Sequence, residues 1–129
     1  MLPYDLKNEI NAAVALKSQS ITASGNSAAI NMLGNTLAVL FAFNVSAATA
    51  GTLPTFDAKI QQSADGSTNW TDVTGASITQ VTTVDSIQTV GVDPRGTQQY
   101  LRVNYTIGGS ASPAFPVGVV ILTGKQYKP

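Results

Sequence analysis

The chain has 129 residues, enough for one domain with a single core. Charged residues make up only 11% and small polar residues fill the gap, which points away from a cytosolic enzyme. The expectation is a β protein with much of its surface in contact, or an extracellular or virion protein. With no histidine, no cysteine and zero formal net charge, a disulfide framework, a thiolate metal site and a Cys nucleophile are excluded. Nucleic acid and membranes are not expected partners, because there is no basic stripe and no net pull toward anionic lipid.

The opening MLPYDLKNEI has neither a basic n-region nor an apolar h-region. Synthesis in a cytoplasm without an export signal is therefore expected, and the sequons at Asn44, Asn69 and Asn104 carry no weight. Residues 1–9 read as an exposed N-terminal arm and residues 10–129 as the folded domain. Ile10 to Ile21 fits a strand face and also a helix face; the Ser-Gln-Ser-Ile-Thr at its end favours strand. Ala23 to Ser27 is turn chemistry, and Ala28 to Met32 a short strand. Thr36 to Ser46 is the most apolar strand. Leu37, Val39, Phe41 and Phe43 share one face, and Ala38, Leu40, Ala42 and Asn44 the other. Such a strand is central or covered by a partner.

Ala47 to Pro54 reads as a loop. Phe56 to Val73 reads as strand, tight turn and strand, with Asp65-Gly66 at the turn. Gly75 is expected to break the returning strand. Ile78 to Val84 and Ser86 to Val92 are expected strands, and Asp93-Pro94-Arg95-Gly96 is a turn. Gln98 to Ile107 alternates cleanly, with Leu101, Val103, Tyr105 and Ile107 on one face. Gly108 to Pro113 reads as a flexible loop, and Val117 to Leu122 as a buried closing strand. About eight strands with turns between them predict an all-β fold, a single antiparallel β-sandwich of jelly-roll type.

An active site is not expected. Asp65 and Asp72 bracket the hairpin and could approach each other as a paired-carboxylate reading requires, but turn-forming Asp is the simpler assignment. A calcium site at Asp65-Gly66-Ser67 offers too few carboxylates. No metal site and no cofactor are expected, and no phosphate-binding glycine motif is present. Trp70, the single tryptophan, reads either as a sugar-stacking platform or as core; with no second tryptophan beside it, core is favoured. Tyr100 and Arg102 are adjacent on the polar face of their strand. They read as interface anchors or as a cross-strand pair. Tyr4 and Tyr127 read as terminal anchors or as loose tails.

Three stretches together resemble a group of tailed-phage proteins. They are Tyr4-Asp5-Leu6-Lys7-Asn8, the hairpin from Gln61 to Val73, and Tyr100-Leu101-Arg102-Val103 followed by Ile107-Gly108-Gly109 and the apolar closing strand. The hairpin is similar to a Q-x-S-x-D-x-S-x-x-W/F-x-D-V pattern of capsid decoration (cement or head auxiliary) proteins. Gln99 stands where an Arg or Lys usually precedes the Tyr, so no family salt bridge is carried over. The resemblance implies a β-sandwich virion structural protein without enzymatic activity. It would bind the outer surface of the major capsid protein lattice as a homotrimer and stabilise capsomer contacts. Leu2, Tyr4, Leu6, Tyr100, Arg102 and Tyr127 are the interface residues so implied. A vertex spike base, a head–tail component and a glycan-binding β-sandwich module are the alternatives.

Overall fold

The computed structural model describes residues 10–32 and 36–125. The proposed arm, with Leu2, Tyr4 and Leu6, and the tail residue Tyr127 lie outside the described residues. Among the described residues eight strands run in chain order: β1 (Ile10–Ile21), β2 (Gly25–Asn26), β3 (Ile30–Asn31), β4 (Thr36–Val45), β5 (Ala50–Ser63), β6 (Thr71–Ser77), β7 (Ser86–Val92) and β8 (Tyr100–Lys125). All pairings are antiparallel. The fold is a β-sandwich, as the alternating pattern predicts.

One sheet has the order β1-β8-β4-β7 and is called here the apolar sheet. The other, the polar sheet, has β5 between β6 and β8, with β2 and β3 along the far edge of β8. The two sheets share β8, which serves the polar sheet with its first half and the apolar sheet with its second.

The sharing corrects two sequence expectations. Gln98 to Ile107 and Val117 to Leu122 are not separate strands, and Gly108 to Pro113 is not a loop; from Tyr100 onward all lie within the 26-residue β8, and Gln98 and Gln99 precede it. The chain turns from one sheet to the other where Gly109 (φ 106°), Ala111 (φ 59°) and Ser112 (φ 56°) take left-handed backbone. A Cβ at Gly109 would stand 2.7 Å from the Leu53 carbonyl oxygen, so only glycine fits. β5 bends with it: Thr52 pairs with Ser110, Thr55 with Gly108, and register shifts lie between. Much of the expected loop Ala47 to Pro54 is therefore strand.

Two further expectations fail for local reasons. Gly75 does not end its strand; its positive φ of 76° is absorbed within β6 beside a register shift. Ile78 to Val84 forms no strand, only an isolated bridge between Val81 and Phe56. The backbone of Thr79 is taken by a side chain instead. Its N–H donates to Gln88 Oε1 (2.8 Å) and its carbonyl accepts from Gln88 Nε2 (2.9 Å).

The core lies between the sheets. Val39, Phe41, Phe43 and Val45 point in from β4, and Val117, Val119 and Ile121 from β8. Phe56, Ala58 and Ile60 meet them from β5, with Leu101 and Val103 from the first half of β8. All four phenylalanines are fully buried. Phe56 lies 5.6 Å from Phe115 and 6.2 Å from Tyr105, ring centre to ring centre, so aromatic contacts bridge the two halves of β8.

The register fixes what each sheet shows to the outside. On the apolar sheet Ala12–Leu122–Leu40–Gly91 form one outward row and Val14–Val120–Ala42–Thr89 the next. On the polar sheet the rows are Asp72–Gln61–Arg102 and Ser77–Lys59–Asn104–Asn26.

Candidate functional site

The hairpin between β5 and β6 builds the site. Its foundation is Ser63, fully buried at the end of β5. The Ser63 hydroxyl accepts from the N–H groups of Asp65 (3.3 Å) and Gly66 (3.1 Å), and its one proton faces both the Thr68 carbonyl (2.6 Å) and Asp65 Oδ1 (2.9 Å). Asp65 then organises the turn. Its Oδ1 accepts from the N–H groups of Ser67 (3.0 Å) and Thr68 (2.9 Å), and its Oδ2 from the Thr68 hydroxyl (2.6 Å). The Thr68 hydroxyl first, then the two backbone donors and Ser63, hold the Asp65 carboxyl far below its ordinary value of 3.8. Gly66 sits over Tyr100 at a φ of 78°, and a Cβ there would stand 2.9 Å from that ring. Tyr100 is therefore half-buried beneath the turn.

Asn69, at a φ of 56°, turns the chain back and delivers Trp70 to the outer face of the polar sheet. This corrects the expectation that Trp70 is core: it is half-buried and stands outside the core cluster. The Arg102 guanidinium carbon lies 4.3 Å from the centre of its ring. Sequence alternation misses this because Trp70 precedes β6 and follows the geometry of the turn.

From Arg102 a chain of polar contacts crosses the sheet. Arg102 Nε donates to Gln61 Oε1 (2.9 Å), Gln61 Nε2 donates to Asp72 Oδ1 (3.0 Å), and Lys59 Nζ donates to Asp72 Oδ2 (3.0 Å). Gln61, then Lys59, lowers the Asp72 carboxyl below its ordinary value. Asn104 Nδ2 donates to Asn26 Oδ1 (2.6 Å), and Gln80 Nε2 to Asp57 Oδ2 (2.9 Å). A cavity of about 240 Å³ lies along this face, lined by Asp57, Lys59, Ser77, Ile78, Asn104 and Thr106.

Asp65 and Asp72 are held by separate partners, Asp65 by its own turn and Asp72 by Gln61 and Lys59. Among the described residues there is no cluster of three or more metal-ligating side chains. Tyr100 and Arg102 lie on the same strand as expected, but both serve the hairpin, Tyr100 under its turn and Arg102 against its tryptophan. The face offers the half-buried rings of Trp70 and Tyr100, a guanidinium and several amides that both donate and accept. Its charges, Lys59 and Arg102 against Asp57 and Asp72, balance.

No protein-family model and no curated protein sequence matches the chain. Three solved structures are similar to it in overall path. One is a CBM4 (carbohydrate-binding module) structure, with a TM-score of 0.45 and 14% identity, covering 91% of this chain and 71% of the other. The second is dimeric latent PorU from Porphyromonas gingivalis, with a TM-score of 0.46, 11% identity and 92% of this chain covered. The third is a family two carbohydrate esterase from Cellvibrio japonicus, with a TM-score of 0.37, 14% identity and 93% covered. This chain spans only 13% of the PorU chain and 35% of the esterase.

Proposed function

We propose that the chain is a non-catalytic binding module whose polar sheet takes a neutral glycan on its outer face. The observation that supports this is Trp70, half-buried on that face, with Arg102 stacked on it beside the Gln61–Asp72 row. A sugar ring presents an apolar C–H face and a rim of hydroxyls that donate and accept. An aromatic ring flanked by amides and a charge-balanced polar row answers both. Titration with neutral β-glucan, xylan and chitin oligosaccharides tests it, followed by Trp70 emission. A saturable change is expected, lost in Trp70→Ala and weakened in Arg102→Ala. Unaltered emission with every sugar overturns this reading.

A second reading is the capsid decoration role that the sequence resemblance implies, at the exterior of a virion. The uncharged outer face of the apolar sheet favours it, because such a face suits association by burial. Co-sedimentation with assembled shells of a major capsid protein tests this reading. Saturable binding is expected, and none overturns it.

A further inference from the structure

An antiparallel sheet with one face in the core ordinarily shows water a polar face. The polar sheet does so with Lys59, Gln61, Arg102 and Asn104. The apolar sheet does not. Its outward rows, Ala12–Leu122–Leu40–Gly91 and Val14–Val120–Ala42–Thr89, hold no charged residue, and the next row adds Gly118, Asn44 and Ile87. Val14 is 68% exposed, Ile87 78% and Val120 40%. No described element covers them. Charges at its margin are Asp93 and Arg95, paired with each other at 3.3 Å, and Lys17, exposed in the edge strand β1.

We propose that a second copy of this chain covers this face, packing apolar sheet on apolar sheet about a two-fold axis. Area, charge and relief support that occupant. Four strands about 4.8 Å apart and four side-chain rows about 7 Å apart make a face of roughly 500 Å². Closing two such faces removes roughly 1,000 Å², the size at which a specific interface begins. The rows of this face carry no charge and the Asp93–Arg95 pair that lines its larger hollow is internally balanced, so two copies approach without net repulsion.

The relief is self-complementary. A hollow of about 540 Å³ lies at the Ala38–Gly91–Gly124 end, and another of about 270 Å³ at the Ser18–Gly118–Ile87 end. Leu40, Leu122 and Val120 stand between them. A two-fold offset by one row seats this ridge of each copy in a hollow of the other, the reciprocal fit of an isologous interface. Two sheets meeting this way pack about 10 Å apart, like the two layers of the sandwich itself.

Sedimentation equilibrium of the full chain tests the proposal. The expected species has twice the 13.4 kDa chain mass. Ile87→Lys and Val120→Lys each place a charge in the buried face. Each is expected to raise the dimer dissociation constant at least tenfold. Ile87 is mostly exposed in the single chain, so that variant keeps its fold, which far-UV circular dichroism checks. Val84→Lys, 73% exposed outside the apolar sheet, is the control and leaves the dimer intact. A monomer at all concentrations overturns the proposal. So does a trimeric mass, or a dimer that both folded variants leave unchanged. So does a monomer that binds capsid shells through Ile87 and Val120, which gives the face to another occupant. Glycan binding lies on the opposite sheet and is measured separately, so either idea can fail alone.

Discussion

The turn at Ser63–Thr68 shows how single residues govern the candidate site. Ser63→Ala leaves the N–H groups of Asp65 and Gly66 without their acceptor and the Thr68 carbonyl without its donor. A loss of about 1–3 kcal/mol is expected, read from urea denaturation. Asp65 adds a pH dependence. Its carboxyl, like those of Asp72 and Asp93, is held below the ordinary value of 3.8 in the folded chain. The stability it lends is fully present above that ordinary value. It is lost as pH falls toward the lower folded value, because the unfolded chain then binds the proton first. Asp65→Asn is therefore less stable than the wild type at pH 7. Its urea midpoint also falls less steeply between pH 5 and pH 2. Equal slopes in the two proteins would show that the turn does not depend on the ionised carboxylate. The Asp-Gly signal at this turn is legible in the sequence. That Asn69 aims Trp70 at Arg102 is not, because it depends on a left-handed φ and on which residue of β8 lies beneath.

At the scale of elements, β8 decides the architecture. Its two halves alternate in the sequence like ordinary strands, and Gly-Gly-Ser-Ala-Ser-Pro between them has loop composition. The segment stays in the ladder because β5 bends alongside it and keeps pairing, from Thr55 opposite Gly108 to Ala50 opposite Ala114. Local composition carries no record of a partner strand some fifty residues away that bends in step. The bend has a cost at Ala111 and Ser112, where non-glycine residues adopt left-handed backbone. Ala111→Gly is expected to stabilise the fold by about 1 kcal/mol, measured as a shift in the urea midpoint. Gly109→Ala is expected to destabilise it strongly, since its Cβ meets backbone atoms that have no room to yield.

At the scale of the whole molecule, one strand shared by two sheets makes the sandwich a single cooperative unit. Phe43 belongs to the apolar sheet and Phe56 to the polar sheet, and both are fully buried. Phe43→Ala and Phe56→Ala are each expected to cost about 3–5 kcal/mol. In both variants Trp70 emission and far-UV circular dichroism are expected to report the same midpoint. Separate midpoints in Phe43→Ala would mean that the sheets unfold independently. The molecule also divides its exterior between two chemistries. One outer face is polar and charge-balanced around Trp70, and the other is uncharged and apolar. The two-sided apolar pattern of Thr36 to Ser46 predicts a strand that is central or covered by a partner, and β4 is central, between β8 and β7. Only the register shows that β1, β7 and the second half of β8 extend that character into a continuous face.

Alternation of apolar and polar residues by itself determined that the chain is all-β, and where β4 and β7 lie, because a period of two sorts side chains by face whatever the partner strand; at β1 the pattern also fits a helix face, and the polar Ser-Gln-Ser-Ile-Thr at its end favoured strand. Turn chemistry likewise determined the hairpin at Asp65-Gly66. Tertiary structure alone decided that β8 is one strand, that Gln88 takes the backbone bonds of Thr79, and that Trp70 leaves the core for the surface. Each of these turns on which distant group occupies the space or the hydrogen bond, and strand pairing between segments far apart in the chain sets that.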